Sequence, residues 1–280
     1  MRTFFIKTIF LCLPFLSLTL HAQSSEKLII RCDDIGISHA VNQAFERIAE
    51  TGMPVSVAVI VNGPWFPEAV QLLKRYPNVS VGVHLTANSE WEYLRWGPIL
   101  GRENVASLVD KDGYFKNEWI GNWQVPANME ELEKEFRAQI QKAQDAGLSL
   151  SFINGHMGVD KASDVHKQLI RQLGKEFDLL VSEQCDEVAL QVNQEKYQDD
   201  SMLKRVEKEI RVNTGKMMLL VIHPGLDTIE MSALHLKGEA PSTEVAVSRN
   251  AETKMLTAKS FSRMLSRNKV QLINYSQLAQ

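Results

Sequence analysis

In the segment KLIIRCDD, residues 27–34, an apolar run of strand length ends at two adjacent carboxylates. Three later apolar runs end at a histidine or are closely followed by one. They are VSVGVH (79–84), FINGH (152–156) and MMLLVIH (217–223). Short runs rich in Val, Ile and Leu are typical of strands buried in a parallel sheet. Because the C-terminal ends of such strands share one rim, we expect these polar side chains to lie together.

Helical patterns separate the apolar runs along the chain. Ser38 is a predicted helix cap with Gly52 as the stop, and Asn128 with Glu131 resembles a capping box. The other predicted elements are strands at 56–61, 179–181 and 270–273, and helices at 67–76, 128–147, 164–174, 201–212 and 257–267. This alternation, without a repeat or a linker, predicts one α/β domain with mainly parallel strands. About seven strands favour a closed or nearly closed TIM-like barrel, with an open doubly wound sheet as the alternative.

The composition is that of an ordinary globular protein. Of the 280 residues, 44% are hydrophobic and 23% are charged, which excludes a disordered or collagen-like chain. The formal net charge is −3, without the basic excess that is typical of nucleic-acid binding. We therefore expect no nucleic-acid partner.

The N-terminus has the pattern of a secretory signal peptide. Arg2 and Lys7 precede a mostly apolar run at 8–20, and a small residue, Ala22, follows. We expect residues 1–22 to be removed and the protein to be periplasmic or extracellular, without stable membrane insertion after cleavage. An uncleaved amphipathic anchor is the alternative. Cleavage would remove two positive charges and change the net charge from −3 to −5.

The residue types expected at the rim indicate metal chemistry. One Asp and two His make a facial metal site that leaves positions open for water and substrate. A second acid beside that water can take its proton, and a histidine across the site can protonate a leaving group. Asp33 and Asp34, with His84, His156 and His223, therefore predict metal-assisted hydrolysis.

Four segments, LIIRCDDIGIS, VSVGVHLT, FINGHMG and LLVIHPG, together resemble the YdjC-like carbohydrate deacetylase family. The resemblance covers roughly residues 27–280, and the motifs occur in the family's order, so residues 25–280 are the expected domain. It implies a distorted (β/α) barrel and a deacetylase that uses one divalent metal ion, zinc or magnesium. The implied roles are a catalytic base at Asp33, metal ligands at Asp34, His84 and His156, a general acid or oxyanion partner at His223, and a substrate contact at Arg249.

One motif departs from the family pattern. Many members continue the third motif with two further histidines, where this chain has Gly158 and Asp160. The resemblance therefore implies the same primary ligand at His156 but different contacts to substrate or metal around it.

The segment 85–127 is too long for an ordinary connection between a strand and a helix, and it is rich in aromatic residues. Trp91, Tyr93 and Trp96 follow His84 closely. Their rings could form a platform for the flat faces of a sugar, or they could simply pack the segment.

The sequence thus predicts an exported metal-dependent hydrolase that removes the acetyl group from an N-acetylated amino sugar or small oligosaccharide. An O-acetyl carbohydrate esterase would use the same ligands. A catalytically inactive sugar-binding protein is the third reading, but it would not need Asp33 beside Asp34. The remaining histidines, His39, His166 and His235, are expected at the surface.

Overall fold

The computed structural model describes residues 26–117, 128–192 and 199–278. The predicted signal peptide lies outside these ranges, as do Trp119 and Trp123. The strands are β1 (Glu26–Ile35), β2 (Ser56–Val59), β3 (Ser80–Leu85), β4 (Leu150–Gly155), β5 (Leu180–Val181), β6 (Val188–Ala189), β7 (Met218–Ile222) and β8 (Val270–Ile273). The helices are α1 (His39–Ala49), α2 (Phe66–Leu73), α3 (Met129–Asp145), α4 (Asp164–Phe177), α5 (Asp199–Val212), α6 (Ile229–Ser232), α7 (Glu244–Thr257), α8 (Lys259–Arg267) and α9 (Tyr275–Leu278).

The strands form one curled sheet in the order β5-β4-β3-β2-β1-β7-β6. Every pairing in it is parallel, and β8 pairs with the first half of β1. β8 and β2 follow one another along the same side of β1, while β7 pairs along the other. β5 and β6 end the order without pairing with each other, so the barrel is open there among the described strands. This confirms a single α/β domain with a distorted TIM-like barrel.

The sheet is buried on both faces, which explains why its strands read as continuous apolar runs. The larger part of the core lies between sheet and helices and includes Leu28 and Ile30. A small second cluster contains Ile29, Phe152 and Tyr275, with the last two rings 4.4 Å apart. Because successive side chains on a strand alternate, Ile29 shares its face of β1 with Arg31 and Asp33. The face that carries the small apolar cluster therefore leads directly to charged residues.

The predicted elements agree with most of the observed ones, and α7 is the main omission. The last predicted helix, 257–267, begins instead at Lys259, and α7 precedes it. The buried face of α7 carries Arg249, Glu252 and Thr253, so it lacks the apolar stripe by which an amphipathic helix is recognised. This helix faces the site described below. None of the described helices combines the length and apolarity needed to cross a membrane.

The long segment after β3 is held by two buried side chains of α3. Glu135 accepts hydrogen bonds from the backbone N–H groups of Ile99 (2.9 Å) and Leu100 (3.1 Å). Gln139 accepts from the N–H of Thr86 and donates to its carbonyl. Since unpaired buried backbone groups are costly, these bonds fix the path of the segment above the sheet.

Candidate active site

The C-terminal ends of β1, β3, β4 and β7 bring the predicted polar residues together, as expected for parallel strands that share one rim. They line one cavity of about 650 Å³. Its lining includes the following residues predicted to act at the site: Asp33, Asp34, Trp91, His84, His156, His223 and Arg249. Of these, Asp33, Asp34, His84, His156 and His223 were predicted from strand ends, and Arg249 from the family resemblance.

The two adjacent aspartates serve different partners because the backbone turns sharply between them. Asp34 has φ 67°, a left-handed conformation that few residues other than glycine adopt. The Asp33 carboxylate consequently meets Arg31, whereas the Asp34 carboxylate meets His84 and His156. Such a conformation stores strain, and strain of this kind is concentrated at functional sites.

Asp34, His84 and His156 form a nearly equilateral triangle of ligand atoms. Asp34 Oδ1 lies 3.5 Å from His84 Nε2 and 3.2 Å from His156 Nδ1, and the two nitrogens are 3.3 Å apart. A tetrahedral ion with ligands at about 2.0–2.1 Å requires edges of about 3.3 Å. Within the described residues this is the group whose atoms could hold a metal ion.

The charges around the triangle also fit a cation. Asp34 Oδ1 is buried without a hydrogen bond of suitable geometry from the described residues, while Oδ2 is held by Arg249 Nη2 at 2.6 Å. Burial by itself would raise the pKa of Asp34, but Arg249 and the two histidines hold it well below its usual range. Burial would likewise lower the pKa of His156, but Glu90 and Asp34 raise it to about 10. An electrostatic environment that stabilises an imidazolium also favours a bound cation.

Each histidine of the triangle has a second polar partner at its other ring nitrogen. Both polar atoms of the Asn154 amide lie within 3.1 Å of His84 Nδ1. Glu90 Oε2 lies 3.0 Å from His156 Nε2. Partners of this kind fix the orientation and tautomer of metal-binding imidazoles.

Asp33 is held by Arg31 through two hydrogen bonds. Arg31 donates from Nε to Oδ1 (2.7 Å) and from Nη2 to Oδ2 (2.8 Å). Burial would raise the pKa of Asp33, but Arg31, followed by His84, brings it below its usual value. Arg31 also donates to Ser182 Oγ, which contacts the hydroxyl of Tyr275. The carboxylate is therefore ionised and tied to the interior of the barrel.

His223 follows β7, which pairs with β1 up to Cys32, and it is positioned through its backbone. Its N–H donates to Glu252 Oε2 at 2.5 Å. Burial raises the pKa of Glu252 to about 8, and burial lowers the pKa of His223 below its usual value. The resting imidazole is therefore neutral at neutral pH.

The three aromatic residues considered for sugar stacking have separate positions. Trp91 lines the cavity with Arg249 over its ring, 5.6 Å from the centroid. Trp96 is buried and packs against His156 with ring centroids 5.9 Å apart. Tyr93 is 80% exposed and touches His235. Of these three rings, that of Tyr93 is exposed, and that of Trp91 is the one that lines the cavity.

Gly158 and Asp160, which stand where many family members have histidines, lie in different surroundings. Gly158 lines the cavity in a left-handed turn with Met157, which has φ 50°. Asp160 is buried beside Gly155, where a Cβ on that glycine would lie 2.5 Å from Asp160 Oδ1. Asp160 is not among the described residues that line the cavity. Position 158 thus borders the cavity without a side chain, and the side chain at position 160 packs behind the turn.

Two expectations about other histidines are wrong. His166 and His235 are buried, because His166 packs on α4 against Ser163 and His235 lies under Tyr93. His39 is half exposed, as expected, and pairs with Glu68.

Sequence reasoning missed several charged residues at the site, among them Arg31, Glu90 and Glu252. A signal existed for Arg31, since a charge inside an apolar strand, two residues before Asp33, must face the same side. Glu90 and Glu252 lie on a long loop and on a helix without an apolar stripe, and neither has a comparable signal.

The fold and the buried Asp–His–His triad define an α/β-barrel protein with a candidate metal centre at its C-terminal rim. The chain belongs to the YdjC-like protein family, whose model matches residues 27–267. It is 27% identical to a carbohydrate deacetylase of Enterococcus faecalis strain V583 over 275 residues, covering 91% of this chain and 99% of that protein. It is 25% identical to a carbohydrate deacetylase of Listeria monocytogenes serotype 4b over 263 residues, covering 90% and 100%.

Solved structures show the same fold. A protein from Enterococcus faecalis V583 described as a cellobiose-phosphate cleavage protein superposes with a TM-score of 0.76 and 24% identity, covering 92% of this chain and 100% of that one. The catalytic domain of a peptidoglycan N-acetylglucosamine deacetylase from Eubacterium rectale has a TM-score of 0.52 at 11% identity, covering 90% and 89%.

Proposed function

We propose that the protein is a metal-dependent deacetylase that hydrolyses the N-acetyl group of an amino sugar in a small oligosaccharide. The observation that carries the proposal is the ligand triangle of Asp34, His84 and His156 beside an ionised acid, Asp33, in one cavity. The membership in the YdjC-like family and the carbohydrate deacetylases among the relatives support the substrate class.

Different residues of the chain have different roles in the proposed hydrolysis. A divalent ion held by the triangle would polarise the acetyl carbonyl and lower the pKa of water. Asp33 is placed to accept the proton of the attacking water, and Arg31 keeps its carboxylate ionised and oriented. Arg249, fixed on Asp34, places positive charge beside the carbonyl oxygen as it becomes negative. His223 follows the neighbouring strand β7, lines the same cavity as Asp33 and would meet the departing amine.

Zinc is the metal that the ligand set suits best. Two imidazole nitrogens and one carboxylate are ligands that zinc takes in catalytic sites, whereas magnesium prefers oxygen ligands and water. Metal analysis of the purified protein decides between them.

We also propose that the protein acts outside the cytoplasm. The support is the N-terminal sequence, in which Arg2 and Lys7 precede the apolar run at 8–20. N-terminal sequencing of protein recovered from the cell exterior would locate the cut, expected after residue 22.

Release of acetate from a panel of acetylated sugars tests the activity. We expect acetate from N-acetylated oligosaccharides, loss of activity after treatment with a chelator, and recovery when the metal is restored. O-acetylated sugars serve as the comparison, and activity confined to them would make the protein an esterase. Sugar binding without acetate release, with metal present, would contradict a catalytic role.

The role of His223 predicts different losses for two kinds of substrate. An amine leaving group needs a proton, whereas the leaving group of an activated ester does not. If the neutral His223 imidazole takes up a proton before the amine departs and then delivers it, His223→Ala should lower turnover of the amide by about 10²-fold or more and affect an activated acetyl ester much less.

Steady-state rates on both substrates check this prediction. Equal losses would instead assign His223 to holding the carbonyl oxygen or the substrate, which its neutral resting imidazole also permits. Unchanged turnover of the amide would remove His223 from the reaction.

A further inference from the structure

Glu90 is a buried carboxylate without a role in the proposed reaction. It is 2% exposed, and its Oε2 lies 3.0 Å from His156 Nε2. The opposite nitrogen of the same ring, Nδ1, faces Asp34 and His84. The imidazole therefore stands between Glu90 and the triangle, and Glu90 is not a member of the ligand group.

The segment after β3 builds a fixed setting for this carboxylate. Asn88 Nδ2 donates to Glu90 Oε2 at 3.2 Å, and the Glu90 carbonyl accepts from the N–H of Lys237 at 2.7 Å. Trp96 donates its indole N–H to the carbonyl of Asn88 and places its ring against His156. The ring of His156 is thus held by a hydrogen bond at its edge and by an indole beside it.

We propose that Glu90 is a positioning residue that holds His156 with Nδ1 directed at the metal and strengthens metal binding through its negative charge. A carboxylate that accepts the second N–H of a metal-binding imidazole fixes its tautomer and makes the ring a stronger ligand. The inference rests on the metal site of the proposed function. It assigns the segment at 88–96 to the metal centre, where the sequence left open a sugar platform or packing of the segment.

Metal affinity of Glu90→Gln tests the inference. Glutamine keeps the size and can still accept from His156 Nε2, but it removes the charge. We expect metal binding 10–100-fold weaker than wild type, measured by competition with a chelator. The melting temperature of the metal-free protein should fall because the buried Glu90–His156 pair loses its negative charge, and the gain on adding zinc should be smaller than in wild type. Glu90→Asp keeps the charge but withdraws the carboxylate, so its metal affinity should lie between those of wild type and Glu90→Gln.

Glu92→Gln is the matched control, since it removes the same charge from the same segment, where Glu92 accepts from the N–H of Gly238. Its metal affinity should equal that of wild type. Wild-type affinity in Glu90→Gln, with binding abolished in His84→Ala, would overturn the inference and leave the metal site intact. A lower melting temperature of metal-free Glu90→Gln with unchanged affinity would assign Glu90 a purely structural role. Failure of wild type to bind zinc or magnesium would instead refute the metal site itself.

Discussion

In Asp33→Asn protein, kcat for acetate release is expected to fall at least about 100-fold while the bound metal is retained. Asparagine cannot accept the proton of water, yet its side-chain oxygen can still accept one hydrogen bond from Arg31. Asp33 lies outside the ligand triangle, so Asp34, His84 and His156 keep their positions. Metal content by elemental analysis and kcat at saturating substrate are the two measurements.

The loss of charge opposite buried Arg31 will also lower stability, because a buried charge without its partner is costly. A melting curve recorded on the same sample separates this effect from catalysis. Asp164→Asn is the control, since its side chain is 98% exposed and far from the cavity lining. Loss of metal from Asp33→Asn at full folding would mean that Asp33 and Asp34 have been given each other's roles.

His84→Ala is expected to abolish stoichiometric metal binding. The triangle would lose one of three ligands, and the loss of affinity should exceed the 10–100-fold that follows removal of an outer hydrogen-bond partner. Activity should fall with the metal and should not return at moderate excess of zinc. Equilibrium dialysis followed by metal analysis, at equal concentrations of folded protein, gives the result.

His39→Ala supplies the matched control, because His39 is half exposed and pairs with Glu68 away from the cavity lining. It should bind metal like wild type. Full metal occupancy in His84→Ala would refute the assignment of the triangle and would require ligands from elsewhere in the cavity.

The sequence was informative wherever an apolar strand ended in a polar residue. Asp33, Asp34 and His84 lie at the C-terminal ends of their strands and His223 follows its strand directly, so the parallel arrangement places them on one rim. His156 follows its strand as closely. Their roles, however, depended on the family resemblance, because strand position cannot distinguish a ligand from a base.

The remainder of the site depends on tertiary contacts that no local pattern records. Glu252 belongs to α7, whose buried residues are partly polar, toward the site, and partly apolar, toward the core. For Trp91 and Trp96 the sequence left open a sugar platform or packing of the segment, and in the structure buried partners, Arg249 and His156, lie against their rings. An aromatic residue in a loop carries no sequence signal that separates these two uses.

The pairing of β1 has a consequence for how the chain acquires its structure. This strand is synthesised well before β7 and β8, although both of these later strands pair with it. Such non-local pairing gives a high contact order and slow folding, since long loops must close before contacts form. Until the final strand has left the ribosome, β1 has an unpaired edge that other chains could join. The incompletely folded chain is therefore exposed to aggregation for a long time. Chaperone binding or expression at a low level would reduce that aggregation.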